Sequence, residues 1–362
     1  MKKGNNVALF LAAVLAFTFF AGVIPATAEG GVQHIEKTLE SPFLKLELNA
    51  DVSVPKENTQ LTIYETDYAR SDAAKWIEMF FDSADAAVED GVNGQANEKR
   101  NLFYPEIERK YGEGDVYTRY IAYEARVYVD YREHEVTDWW NMAKVDSQAE
   151  GLKTIPDQAK TTALEWTNRL ASTIGWDGLT LSACYTMPAA FPGVVPGATP
   201  DPQYVGAVDT NPTGFYIVEF NRVLSGIPVA IDKLPYSDDT KADLYGDVLQ
   251  VYIDDDGIFR VRGYYRSFVE TKKEPMTISL DDAIQILQDN MDYVAFYPEE
   301  ATSVISEIGL CYRLVQILDT SDKDVNARTE ARPAWRFASS VNRNMSDVFV
   351  IFIDAVTGEV LP

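Results

Sequence analysis

Two stretches a hundred residues apart restrict this chain more than any other feature. DVLQVYIDDDGIF starts at Asp247 and DVFVIFIDAVTGE starts at Asp347. Each alternates apolar residues up to an Ile-Asp pair and then turns. What precedes them also matches. A helical stripe (Ala159, Ala163, Trp166, Leu170, Ile174) leads to a strand holding Cys184-Tyr185. A second stripe (Leu280, Ile284, Leu287, Met291) leads to a strand holding Cys311-Tyr312. A duplicated helix-plus-strands unit predicts an α+β chain of antiparallel sheets, each packed with a helix. The expected organisation is a leader at 1–28, an N-terminal α+β domain at 29–151, and tandem modules at 152–275 and 276–362.

Within that frame, Ser71 caps a predicted helix whose stripe runs Ala74, Ile77, Phe81, Ala84 and Val88. Asp115–Glu133 reads as one long strand with a tyrosine-rich surface. Glu29–Glu40 reads as a polar, frayed opening segment. Asp256-Gly257 predicts a hairpin corner. Ser279 and Asp282 predict a capping box. Met187–Gly214, with six prolines and four glycines, reads as a long loop, and Asp319–Arg332 as a polar one.

Met1-Lys2-Lys3, an uncharged apolar run at Val7–Ile24 and Ala26-Thr27-Ala28 have the order of a secretory signal. The alternative is a membrane anchor, because the 18 residues of that run approach a bilayer's span. Residues 1–28 carry two lysines and no acid, so their removal moves the net charge from −24 to −26. That charge argues against nucleic acid and anionic lipid surfaces as partners, leaving the membrane as a partner only if residues 1–28 stay attached. Two cysteines, Cys184 and Cys311, are too few for a disulfide framework.

Candidate chemistry is sparse. His34 and His134 are the only histidines. Neither has the second histidine of a zinc motif, and a histidine-based nucleophile has little to draw on. Asp254-Asp255-Asp256-Gly257 lacks the later ligands of a calcium loop and reads as a turn. No metal or cofactor is expected. Trp139, Trp140 and Tyr128 form the candidate binding patch, for a peptide or a glycan. Carboxylates are numerous enough that a glycosidase pair stays open as the enzymatic alternative.

The segments SLDDAIQIL from Ser279, IGLCYRLV from Ile308, RPAWRF from Arg332 and IDAVTGEV from Ile353 resemble the PepSY-like modules of exported bacterial proteins. With VLSGIPVAI and DVLQVYIDDDGIFRVRG, the arrangement over Pro156–Pro362 is similar to the extracytoplasmic YycH/YycI group. Phe43–Glu65 looks like the start of uncharacterised exported proteins with this tail. The resemblance implies a non-catalytic regulatory or inhibitory role outside the membrane. PepSY modules are linked to restraining proteases, and YycH/YycI proteins restrain a sensor kinase through a membrane helix. The cleavable-looking signal departs from the latter pattern. The expectation is therefore an exported, non-enzymatic binder of an envelope protein or peptide.

Overall fold

The computed structural model of the chain describes residues 31–42, 44–56, 58–68, 79, 87–90, 105–111, 116–123, 126–130, 143–144, 148–149, 151–187, 214–231, 247–291, 301–319, 326–339 and 350–361. In chain order the strands begin with β1 (Val32–Glu40), β2 (Leu44–Ser53), β3 (Gln60–Tyr68), β4 (Ala87–Asp90), β5 (Pro105–Tyr111), β6 (Val116–Tyr123), β7 (Arg126–Asp130) and β8 (Ala143–Lys144). Helix α1 (Pro156–Ile174) precedes β9 (Leu179–Met187), β10 (Phe215–Leu224), β11 (Ile227–Pro228), β12 (Val248–Asp254), β13 (Gly257–Tyr264) and β14 (Arg266–Pro275). Helix α2 (Leu280–Asp289) precedes β15 (Ala301–Ile305), β16 (Glu307–Asp319), β17 (Asn326–Ala338), β18 (Val350–Asp354) and β19 (Val360–Leu361).

Three sheets result. The largest runs β4-β5-β6-β7-β13-β12-β10-β9-β8, with β11 paired to β10. A second runs β14-β3-β17-β18-β19, with β16 on the other edge of β17. The third is β1-β2-β15, in which β15 runs parallel to β2. Both sequence repeats adopt the same order, a helix followed by four consecutively paired antiparallel strands. These are α1 with β9-β10-β12-β13 and α2 with β16-β17-β18-β19.

The predicted stripes are the buried faces. Ala159, Ala163 and Leu170 of α1 pack on Tyr216, Val218, Phe220 and Val251 of the large sheet. Leu280, Ala283, Ile284 and Leu287 of α2 pack on Trp335, Phe337, Ile351 and Ile353. Each such leucine or isoleucine contributes about 1.5–3 kcal/mol by leaving water. Helix α1 ends at Gly175, whose φ of 86° places it in the left-handed region. At the start of α2, Ser279 Oγ accepts the Asp282 amide at 3.1 Å and Asp282 accepts the Ser279 amide at 3.1 Å, closing the predicted box. Ser279→Ala is expected to cost about 1 kcal/mol, read as a lower urea midpoint.

The turns explain why the Ile-Asp pair recurs. Asp254 is buried and accepts the Asp256 amide at 2.9 Å. Asp354 is buried and accepts the Val356 and Thr357 amides, both at 2.8 Å. The next position secures the chain entering each helix. Asp255 accepts the Lys153 amide at 2.9 Å and the Thr154 amide at 2.8 Å, and these bonds lower its pKa. At the matching place Ala355 uses its backbone carbonyl to accept the Thr277 and Ile278 amides at 3.2 and 3.1 Å. The acidic turn is thus hydrogen-bonding hardware.

Four expectations are corrected. The frayed opening is strand β1, paired with β2 over nine residues. The long strand from Asp115 is a hairpin, since β6 folds back on β7 with Tyr123 opposite Arg126. Val88, placed on a helical stripe, lies in β4 opposite Ile107. The polar loop after Asp319 gives way to β17 at Asn326. Of the helix from Ser71, Met79 is described and is helical. The loop at Met187–Gly214 lies outside the described residues except at its two ends.

Candidate functional site

On the face of the C-terminal sheet away from α2, the alternation of β16 and β17 brings Val315, Ile317 and Arg332 to one side. With Gly358, Val360 and Leu361 they line a groove of about 540 Å³. Its walls are largely apolar, and Asn290, Arg332 and Glu359 supply their polar part. Arg332 Nε lies 2.9 Å from Asp354 Oδ2, a carboxylate with no exposed surface. The N–H is not aimed along that contact, so the pair is held by charge rather than by an aligned hydrogen bond. Asp354 therefore fixes the arginine while also closing its own turn. An arginine pinned in this way loses little freedom when its remaining N–H groups meet a carbonyl or carboxylate. Val360 is 41 % exposed on the rim.

A second polar cluster lies where the large sheet hands over to the C-terminal one. Asp247, at the start of β12, is fully buried, and its Oδ2 accepts the Arg266 amide at 3.0 Å. Its other oxygen has no hydrogen-bond partner among the described residues. Burial pushes its pKa up to about 7, against the opposing pull of the Arg266 amide and the Arg222 and Arg266 charges. Arg222 stands over the Tyr265 ring at 4.6 Å and pairs with Asp177 at 3.2 Å. Trp176 stacks on Tyr265 at 4.5 Å. The end of α1, β10, β12 and the β13–β14 step thus meet in one knot.

On the outer face of the large sheet, Glu219 is fully buried and accepts a bond from Gln250 Nε2 at 2.9 Å. Tyr185 and Ser182 also donate to Glu219, each at 3.4 Å. In register, Glu219 lies opposite Gln250, Gln250 opposite Arg262 and Arg262 opposite Tyr128. Tyr128 thus sits in β7 opposite Arg262. Trp139 and Trp140 lie outside the described residues, as does His134. His34 lies in β1 and contacts Asp51 at 2.8 Å. Cys184 and Cys311 are buried and are not joined in a disulfide. Among the described residues no cluster of three or more metal-ligating side chains occurs. No described helix is long and apolar enough to cross a membrane, and residues 7–24 lie outside that description. Sequence reading missed Arg332 and Asp247 as site residues. Asp247 stood next to an apolar strand, and Arg332 stood among the other charges of β17 with nothing to single it out.

Residues 277–361 match the family model described as "Peptidase propeptide and YPEB domain", or PepSY. The C-terminal unit is PepSY-like. The groove beside β19, with Arg332 and Asp354, falls wholly inside that PepSY-like unit. No curated protein matches the chain. Among solved structures, an uncharacterized protein from Eubacterium rectale aligns with a TM-score of 0.56 at 13% identity. The alignment covers 88% of this chain and 90% of that one. At that identity the likeness concerns the fold, and it extends well beyond the PepSY-like unit.

Proposed function

We propose that this chain is an exported, non-enzymatic binding protein of the cell envelope, regulatory in role, that engages an extended segment of a protein or peptide partner. The observation that carries the reading is a largely apolar groove with a pinned arginine, lying within the stretch that matches a peptidase-propeptide family. An aliphatic side chain of the partner would lie against Val315, Ile317 and Val360, with a backbone carbonyl or a carboxylate facing Arg332. The unit formed by α1 with β9, β10, β12 and β13 acts in this reading as a related module. The leader at 1–28 would deliver the chain outside the membrane.

The test is crosslinked capture from an envelope extract with the wild-type chain and with Val360→Glu, which places a charge on the exposed groove rim without touching the core. Capture of a discrete protein or peptide by the wild type, with loss in the variant, is the expected result. Recovery of nothing, or equal recovery by both, overturns the reading.

A further inference from the structure

The sheets end in backbone edges of different character. Strand β14 is guarded as sheet edges usually are. Its register against β3 breaks between Glu270 and Lys272, it carries Lys272 and Lys273, and it ends in Pro275. Of these devices strand β1 has one lysine, Lys37. It pairs with β2 without a shift over nine residues, contains no proline, and ends the β1-β2-β15 sheet. All of its side chains except Ile35 and Leu39 are exposed.

We infer that the edge of β1, unpaired among the described residues, pairs with β1 of a second copy of this chain, antiparallel about a twofold axis, joining two three-stranded sheets into one continuous sheet. The side chains select a register. In a twofold antiparallel pair, one residue lies opposite its own copy. Placing Glu36 or Lys37 on the axis sets like charges directly opposite, which is destabilising. Placing Ile35 on the axis sets His34 opposite Glu36 of the second copy, twice over, and Gln33 opposite Lys37. His34 already contacts Asp51 on its other side. The register therefore builds a continuous row of Glu36 from one copy, then His34 and Asp51 from the other. Glu36 faces Asn49 across β2, so the row draws on a carboxylate with no ion-pair partner among the described residues. This inference concerns a different surface from the groove and does not depend on the binding role proposed above.

Sedimentation velocity of the chain lacking residues 1–28, across the micromolar range, tests it. The wild type is expected to show a concentration-dependent monomer–dimer equilibrium. Glu36→Lys removes the carboxylate that faces His34 on both sides of the axis and is expected to weaken dimerisation several-fold. The double variant His34→Glu, Glu36→Lys restores opposite charges across the axis and is expected to recover the dimer. Both sites are exposed, and unchanged circular dichroism verifies that the variants fold. A wild type that stays monomeric throughout, a Glu36→Lys chain that dimerises like the wild type, or a double variant that fails to recover would each overturn the inference.

Discussion

Asp247→Asn is expected to raise the unfolding midpoint at about pH 8 and to leave it nearly unchanged at about pH 4. In the unfolded chain this carboxyl loses its proton near 3.8, whereas burial in the knot holds the proton up to about 7. Between those values the folded state binds the extra proton, so stability falls as pH rises. Above about 7 both states are ionised and the whole loss has been incurred. Each unit of difference is worth about 1.4 kcal/mol, which sets a ceiling of about 4 kcal/mol on the gain from the neutral amide at alkaline pH. Asparagine keeps an oxygen for the Arg266 amide, and Arg222 keeps Asp177. Thermal melts of both proteins across this window provide the measurement. Parallel wild-type and variant curves would show that Asp247 is ionised in the fold throughout.

The second large effect concerns Asp354. Asp354→Ala removes the acceptor of the Val356 and Thr357 amides and leaves Arg332 without its buried counter-charge. Removing one partner of a buried pair costs about 3–5 kcal/mol. Asp354→Asn restores an acceptor for the turn but not the charge, and is expected to fall between alanine and wild type. Urea denaturation orders the three proteins. If alanine and asparagine were equally harmful, the ion pair alone would matter. If asparagine matched the wild type, the turn alone would.

What the sequence revealed, and what it hid, follows from where each pattern comes from. Ala159, Ala163, Leu170, Ile284 and Leu287 were legible because one helix face meets one sheet, which imposes the helical spacing directly. The repeated Ile-Asp turn was legible because both copies use the same buried acceptor. Strand β1 escaped because only Ile35 and Leu39, four residues apart, touch the core, and that spacing does not alternate. The first half of β17 escaped because its polar letters pair with one another, as Arg328 does with Glu330 at 3.0 Å. The sequence between β6 and β7, Glu124-Ala125, has no turn signature. The groove could not be read at all, since Val315, Arg332 and Val360 come together only through pairings among β16, β17, β18 and β19.

Strands β2 and β3 find their neighbours far down the chain. Leu44 lies opposite Ala301, Gln60 opposite Pro275 and Thr66 opposite Thr329. Loops of that length close slowly, and their entropy is spent before the distant contacts reward it. The earliest strands to be synthesised are therefore among the last to be completed. Apart from the β1–β2 hairpin they wait as unpaired, aggregation-prone ribbon until β14, β15 and β17 have been made. A ribosome stalled near residue 270, or a protease acting there, would release a product whose beginning is as unfinished as its end.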